Sequence, residues 1–285
     1  MENEINNENE SLDFDSRIPL DDLKQAVSSL KNQLAKVIVG QNDFVELLIA
    51  GLLSNGHVLI EGVPGVAKTL TAKLFAKSLE TNFSRIQFTP DLMPSDVLGT
   101  SVLNAQKGEF EFKPGPIFSN IVLIDEINRA PAKTQAALFE VMEERQITID
   151  GVQHDLEAPF MVLATQNPIE QEGTYALPEA QLDRFLFKIE VDYPSLEDEI
   201  NILKTHHDRK GSLPISQIEA VLNPKNLNEL KGQIQEIIME EKLMHYIASI
   251  VGKTRNHSHI YLGASPRASI AVMNASKAFA AINGR

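Results

Sequence analysis

Three short stretches carry residue types that could do chemistry together. The first is HVLIEGVPGVAKTLT at 57–71. A short apolar run, His57 to Glu61, reads as a β-strand; a turn containing Gly62, Val63, Pro64, Gly65 and Val66 follows, then Ala67, Lys68, Thr69 and Leu70 open a helical run. In a strand–loop–helix of this kind the loop N–H groups converge on one point, and the new helix adds its positive dipole end there. Lys68 would contribute a point charge for β- and γ-phosphates, and the Thr69 hydroxyl an oxygen for Mg²⁺. The general spacing G-x-x-x-x-G-K-[ST] has one departure, because Ala67 stands where the second glycine is expected. Alanine is cheap only in the right-handed helical region, so the reading expects Ala67 to be helical already.

The second stretch is IVLID at 121–125, followed by Glu126. A continuous apolar run suits a strand buried on both faces of a parallel sheet. Carboxylates at its C-terminal end would lie in the crevice where such sheets bind ligands. Asp125 could hold a hydrated Mg²⁺, and Glu126 could polarise an attacking water. The third stretch, FMVLAT at 160–165, is another buried strand and runs into Gln166, Asn167 and Pro168. Asn167 could bond a γ-phosphate or orient a water; it could equally cap a turn before the proline.

The remaining elements must position these three. Before the first strand, Leu23, Ala26, Val27, Leu30, Leu34 and Val37 recur at helical spacing. Gly40 breaks that helix, and Asn42 or Asp43 can cap a second one reaching about Ser54. Val39 and Gly40 could wall an adenine ring or merely join two helices. Strands are expected at 84–89 and 185–191, and helices at 70–79, 132–145 and 177–184, the last opening on Pro178. Two hairpins interrupt this order, one turning at Lys107-Gly108 and one at Asp150-Gly151. The first reads as an insertion. Arg184 falls at the sheet rim, and Tyr193-Pro194-Ser195 reads as a link to a helical unit, with helices at 196–206, 215–222, 226–232, 239–254 and 266–282. Ser265 is the expected cap of the last helix, with Pro266 at its first position. Arg267 then sits in a first turn, where the dipole disfavours a cation. Its charge suits an anionic partner or a nearby acid.

Composition sets outer limits. The chain has 285 residues, 43% apolar, with no Cys, no Trp and a net charge of −13. No disulfide framework or thiol chemistry is available, as suits the cytoplasm. No apolar run approaches a membrane span, and no secretory leader is visible. The acidic excess opposes duplex-DNA binding, although a local basic pore is compatible with it. Residues 1–16 carry six acids and no Lys or Arg, as in a disordered solubilising tail. The histidines lack zinc-ligand spacing.

Taken in order, GVPGVAKT (62–69), TPDLMPSDVLG (89–99), FKPGPIF (112–118), LIDEINRAP (123–131), ATQNP (164–168), LPEAQLDRF (177–185) and GASPRA (263–268) resemble the AAA+ ATPases, most closely the MoxR branch. Alanine before the lysine is usual in that branch. The resemblance implies an α/β P-loop domain at 17–193 with a parallel five-stranded sheet and two β-hairpin insertions, then an α-helical lid domain at 195–285. It implies ATP and Mg²⁺ as ligands, hydrolysis by a homo-oligomeric, hexameric ring, and chaperone-like remodelling of client proteins with a von Willebrand factor A-domain partner. Both hairpins would face the ring's central channel. By the same resemblance Asn167 matches sensor 1, Arg267 matches sensor 2, and Arg184 matches the arginine finger delivered to the neighbouring subunit; Arg129 would join that interface, and the ATP would lie between large domain and lid. Members of the branch carry further lid helices beyond the position of Arg285, so the lid is expected to be incomplete. A magnesium-chelatase-like motor and a DNA-translocating helicase relative are the alternative readings.

Overall fold

The computed structural model describes residues 20–167, 175 and 177–284. The acidic stretch 1–16 and Pro168 lie outside the described residues.

Five parallel strands form the centre, in the order β2 (Phe83–Gln87), β5 (Ile121–Asp125), β8 (Met161–Gln166), β1 (His57–Gly62), β9 (Phe185–Val191). β5 is buried along its whole length, and β8 along all but its last residue. That burial is the reason for their unbroken apolar runs: helices cover both faces. On one face lie α1 (Asp21–Ala35), α2 (Asn42–Leu53) and α3 (Lys68–Ser78). On the other lie the short α4 (Pro94–Leu98) and α5 (Ala132–Glu144). The expected α/β class with a five-stranded parallel sheet is borne out.

Both expected hairpins form. β3 (Gly99–Asn104) pairs with β4 (Glu109–Pro114), and β6 (Gln146–Ile149) with β7 (Val152–Asp155). Asp150 and Gly151 both take positive φ, 51° and 78°, the two-residue turn whose twist matches the flanking strands. The hairpins touch each other: the Ser101 hydroxyl donates to Asp150, and Phe112 stacks on His154 with ring centres 4.1 Å apart.

After a four-residue α6 (Glu179–Leu182) and β9, the chain is helical: α7 (Leu196–Asp208), α8 (Pro224–Gln235), α9 (Glu241–Arg255) and α10 (Pro266–Ile282). α10 reaches the edge of the sheet, where Phe279 packs on Phe187 of β9 with ring centres 6.3 Å apart. Leu227 and Ile234 of α8, with Ala278 and Ala281 of α10, join the core built by Leu30 of α1 and Leu48 of α2. Alanines on α10 let its backbone come close to its neighbours.

Three local expectations need correction. A helix at 215–222 shrinks to a 3₁₀ turn at Pro214–Gln217, because the Val221 N–H leaves the local chain to bond the Ser78 carbonyl. α2 is not capped by Asn42 or Asp43; its N-cap is Gln41, whose side chain donates instead to the Val66 carbonyl at 3.0 Å. The helix expected at 177–184 keeps only one turn, with Pro178 as its N-cap rather than its first residue. At α10 the expectation holds: Ser265 Oγ accepts from the Arg267 N–H at 3.1 Å.

Candidate active site

The loop between β1 and α3 crosses the C-terminal end of the sheet. Gly65 takes φ +89°, and a Cβ built on it would meet nothing within 4 Å, so the loop is open to a ligand on that side. Gly62 is tight: a Cβ there would lie 2.6 Å from the Val191 carbonyl, which keeps β1 against β9. Ala67 is not helical, contrary to expectation. It sits at φ 58°, ψ 21°, in the left-handed region, as N-cap of α3. The turn needs a left-handed residue at this point to aim the following N–H groups inward, and the geometry is imposed on alanine at a cost of about 1–2 kcal/mol. The first N–H groups of α3 have no intrahelical acceptor and face the same space.

Lys68 Nζ donates to the Gly62 carbonyl at 2.7 Å, bracing the loop. Burial holds this ammonium below the usual lysine pKa, while Asp125 and Glu126 pull it back up, so the cation and both carboxylates share one electrostatic neighbourhood. Asp125 is 8% exposed. Its Oδ2 accepts from Arg85 Nε at 2.6 Å, and its Oδ1 from the Thr165 hydroxyl at 3.1 Å. The Thr165 oxygen in turn accepts the Glu126 N–H at 3.0 Å, so one hydroxyl orients both acids. Glu126 is also left-handed, φ 57°, and its Oε2 takes Gln87 Nε2 at 2.8 Å and Arg129 Nε at 3.0 Å. Asn167 directly follows β8, whose Gln166 pairs with Glu61 at the mouth of the phosphate loop. Gln41, adjoining Val39 and Gly40, reaches the loop through its bond to Val66.

Arg85, Gln87 and Thr165 were missed in the sequence. Their signal is tertiary: β2 lies beside β5 with Gln87 opposite Asp125, so alternate β2 side chains, Arg85 and Gln87, share the face of the acids.

The residues present fit a magnesium ion. Asp125 at the end of β5 and Thr69 in the first turn of α3 are hard oxygen donors, and among the described residues no group of three His, Cys, Asp or Glu forms an all-protein cage. Magnesium is held in that way, by one or two protein oxygens plus phosphate.

Arg184 and Arg267 are elsewhere. Arg184 immediately precedes β9, whose Phe185 pairs with His57, the first residue of β1; the phosphate loop follows the last residue of β1. Five residues of strand separate these ends by about 16 Å. Arg267 is at the same end, and of the two readings of its charge the structure shows a nearby acid, Glu143. Arg184 Nη1 lies 2.6 Å from Glu143 Oε2 and donates to the Phe139 carbonyl at 2.8 Å. Arg267 Nη2 bonds the other oxygen of the same carboxylate, Glu143 Oε1. The cause is α10's anchoring: Ser265 Oγ reaches both carboxylate oxygens of Asp183, at 3.0 and 2.8 Å. A cleft of about 260 Å³ opens beside the pair, lined also by Arg145.

The profile of the ATPase family associated with various cellular activities (AAA) matches residues 57–187, and that of the AAA lid domain residues 252–285. Similar proteins include the uncharacterized protein YeaC of Bacillus subtilis, 48% identical over 93% of this chain and 82% of its own length. Chaperone MoxR1 of Mycobacterium tuberculosis is 46% identical over 92% of this chain and 70% of its own. The crystal structure of a candidate ATPase from Cytophaga hutchinsonii superposes with a TM-score of 0.86 and 42% identity, covering 93% of this chain and 82% of that one.

Proposed function

This chain belongs to the MoxR branch of the AAA ATPases and hydrolyses ATP; from that premise we propose that it works as a homo-oligomeric ring, hexameric by family habit, that remodels partner proteins in a chaperone-like role. The loop 62–70 would seat the triphosphate, with Lys68 against the β- and γ-phosphates and Val39 and Gly40 near the base. Thr69 and Asp125 would hold Mg²⁺, which when bound neutralises charge building on the β- and γ-oxygens. Glu126 would polarise the attacking water and Asn167 orient it. The second half of the site would come from the next copy, whose Arg184 and Arg267 meet the γ-phosphate as charge develops.

One observation carries this reading: the two arginines lie about a strand's length from their own phosphate loop, at the opposite end of the strands. A cation there cannot serve its own nucleotide. It can serve a nucleotide held by a second copy, and an arginine supplied in that way accelerates hydrolysis by about 10³–10⁵.

The test is complementation. Arg184→Ala and Glu126→Gln each abolish turnover alone; mixed, they recover a fraction of it, since a junction then pairs an intact water-activating side with an intact arginine side. Absence of recovery at every mixing ratio rejects the shared site. The two joined hairpins, with Phe110 73% exposed and Leu103 and Val152 also exposed, are the surface for a client chain. A von Willebrand factor A-domain protein is the proposed partner, and the cytoplasm the proposed location. Among the described residues no helix is long and apolar enough to cross a membrane.

A further inference from the structure

We propose that Glu143 is a positioning residue that welds Arg184 and Arg267, contributed by two different parts of the chain, into one two-arginine anion site, and that this site exists only while α10 is docked. The inference rests on the shared-site reading above and adds to it a residue and a dependence on lid position.

Two guanidinium groups side by side repel each other, and neither is placed by packing alone. Arg184 follows α6 at the sheet edge, whereas Arg267 lies in the first turn of α10, where the helix dipole opposes its charge. The Glu143 carboxylate resolves both problems with one oxygen for each: Oε2 for Arg184 and Oε1 for Arg267. Glu143 itself is fixed near the C-terminal end of α5, with Met142 buried beside it. Arg184 has one end spent on Glu143 and the Phe139 carbonyl, while its buried Nε has no hydrogen-bond partner among the described residues. A donor left unsatisfied under burial is costly and marks a group awaiting an acceptor. The cleft beside the pair is lined by Arg145 as well, a third cation, half-withdrawn by its bond to the Asn55 carbonyl. Its acids, Glu143 and Asp183, are already committed to Arg184, Arg267 and Ser265. The chemistry that fits is a multiply charged phosphate group carried by a second copy of this chain.

The Asp183–Ser265 bonds sit one residue before Arg184 and two before Arg267, so undocking α10 removes Arg267 from the site and leaves Glu143 with a single partner. The arginine side offered to a neighbour would thereby report the position of the protomer's own lid.

Glu143→Gln keeps the shape and removes the charge. Its expected signature is a kcat for ATP lowered about tenfold or more with KM within about twofold, because nucleotide is bound mainly by the other side of the junction. Glu143→Asp, which keeps the charge on a shorter arm, recovers part of the rate. A merely structural role cannot complement: mixed with Glu126→Gln, Glu143→Gln subunits should regain activity as Arg184→Ala subunits do. If Arg184→Ala complements and Glu143→Gln does not, Glu143 is not a positioning residue. If neither complements, the shared site itself is wrong. Full activity of Glu143→Gln alone also overturns the assignment, and should that variant fail to fold, Glu143→Asp with wild-type kinetics overturns it equally.

Discussion

Single residues at this site are held in conformations or charge states that their types do not favour. Ala67 and Glu126 both occupy the left-handed region, one at the loop after β1 and one beside Asp125. Strain of this kind persists only where surrounding structure over-determines it: Ala67 caps α3, and the Glu126 N–H is held by the Thr165 hydroxyl at 3.0 Å. His57 shows the same control exerted on charge. Its Nδ1 accepts the Val162 N–H at 3.0 Å, which leaves Nε2 as the donor to the Met142 carbonyl at 3.0 Å. The ring is buried and neutral, and burial lowers its pKa from 6.5 to about 4, with Arg145 adding to the effect. Since the folded pKa lies below the unfolded one, the unfolded chain binds the extra proton between those values. Stability is therefore expected to fall as pH drops from about 6.5 toward about 4, by about 3 kcal/mol in all. Urea midpoints measured across that range, compared with His57→Gln, check it; an equal slope in the variant would remove His57 as the source.

At the scale of elements, the decisive contact is between α8 and the helices that precede the sheet. Leu227 is fully buried in the core it shares with α1, α2 and α10. Lys231, one turn further along α8, buries its ammonium against Asn55 Oδ1 at 2.9 Å, and that burial lowers its pKa to about 8. The helical unit is thus bound to the α/β unit by apolar packing and by a desolvated cation together. Leu227→Ala is expected to cost about 2–5 kcal/mol, and to do so in a single unfolding transition seen alike by probes in α9 and in the sheet. Two separated transitions would show that α8 contributes little to holding the two parts together. The hairpins are coupled in the same manner on a smaller scale, through Ser101–Asp150 and the Phe112–His154 stack.

For the whole molecule, the proposed shared site divides between the two ends of one sheet. The phosphate loop, Asp125 and Glu126 stand at the C-terminal end, and Arg184, Arg267 and Glu143 at the other. Head-to-tail association of such a protomer joins unlike ends, and closes into a ring when the rotation permits. A ring arrested before hydrolysis should keep its client. Glu126→Gln loaded with ATP is expected to retain a partner protein on affinity capture, and the added change Phe110→Ser to release it. Equal capture by both variants would move the client surface away from the hairpins.

How much of this was legible beforehand follows from range. The positions of Lys68 at the start of α3 and of Asp125 and Glu126 at the end of β5 could be read because loop and strand signals are local: a strand buried on both faces must be apolar to its end. β5, β9 and α10 have their expected bounds, and the turn at Asp150-Gly151 was set by two residues. The loss of the helix at 215–222 and the pairing of Arg85 with Asp125 depended on partners far along the chain. Sequence by itself determined the nucleotide chemistry, since its spacing is fixed within one loop and one strand end. Only the tertiary structure decided where Arg267 goes, because the docking of α10 beside Asp183 and Glu143 joins residues more than eighty positions apart, and no local pattern encodes that distance.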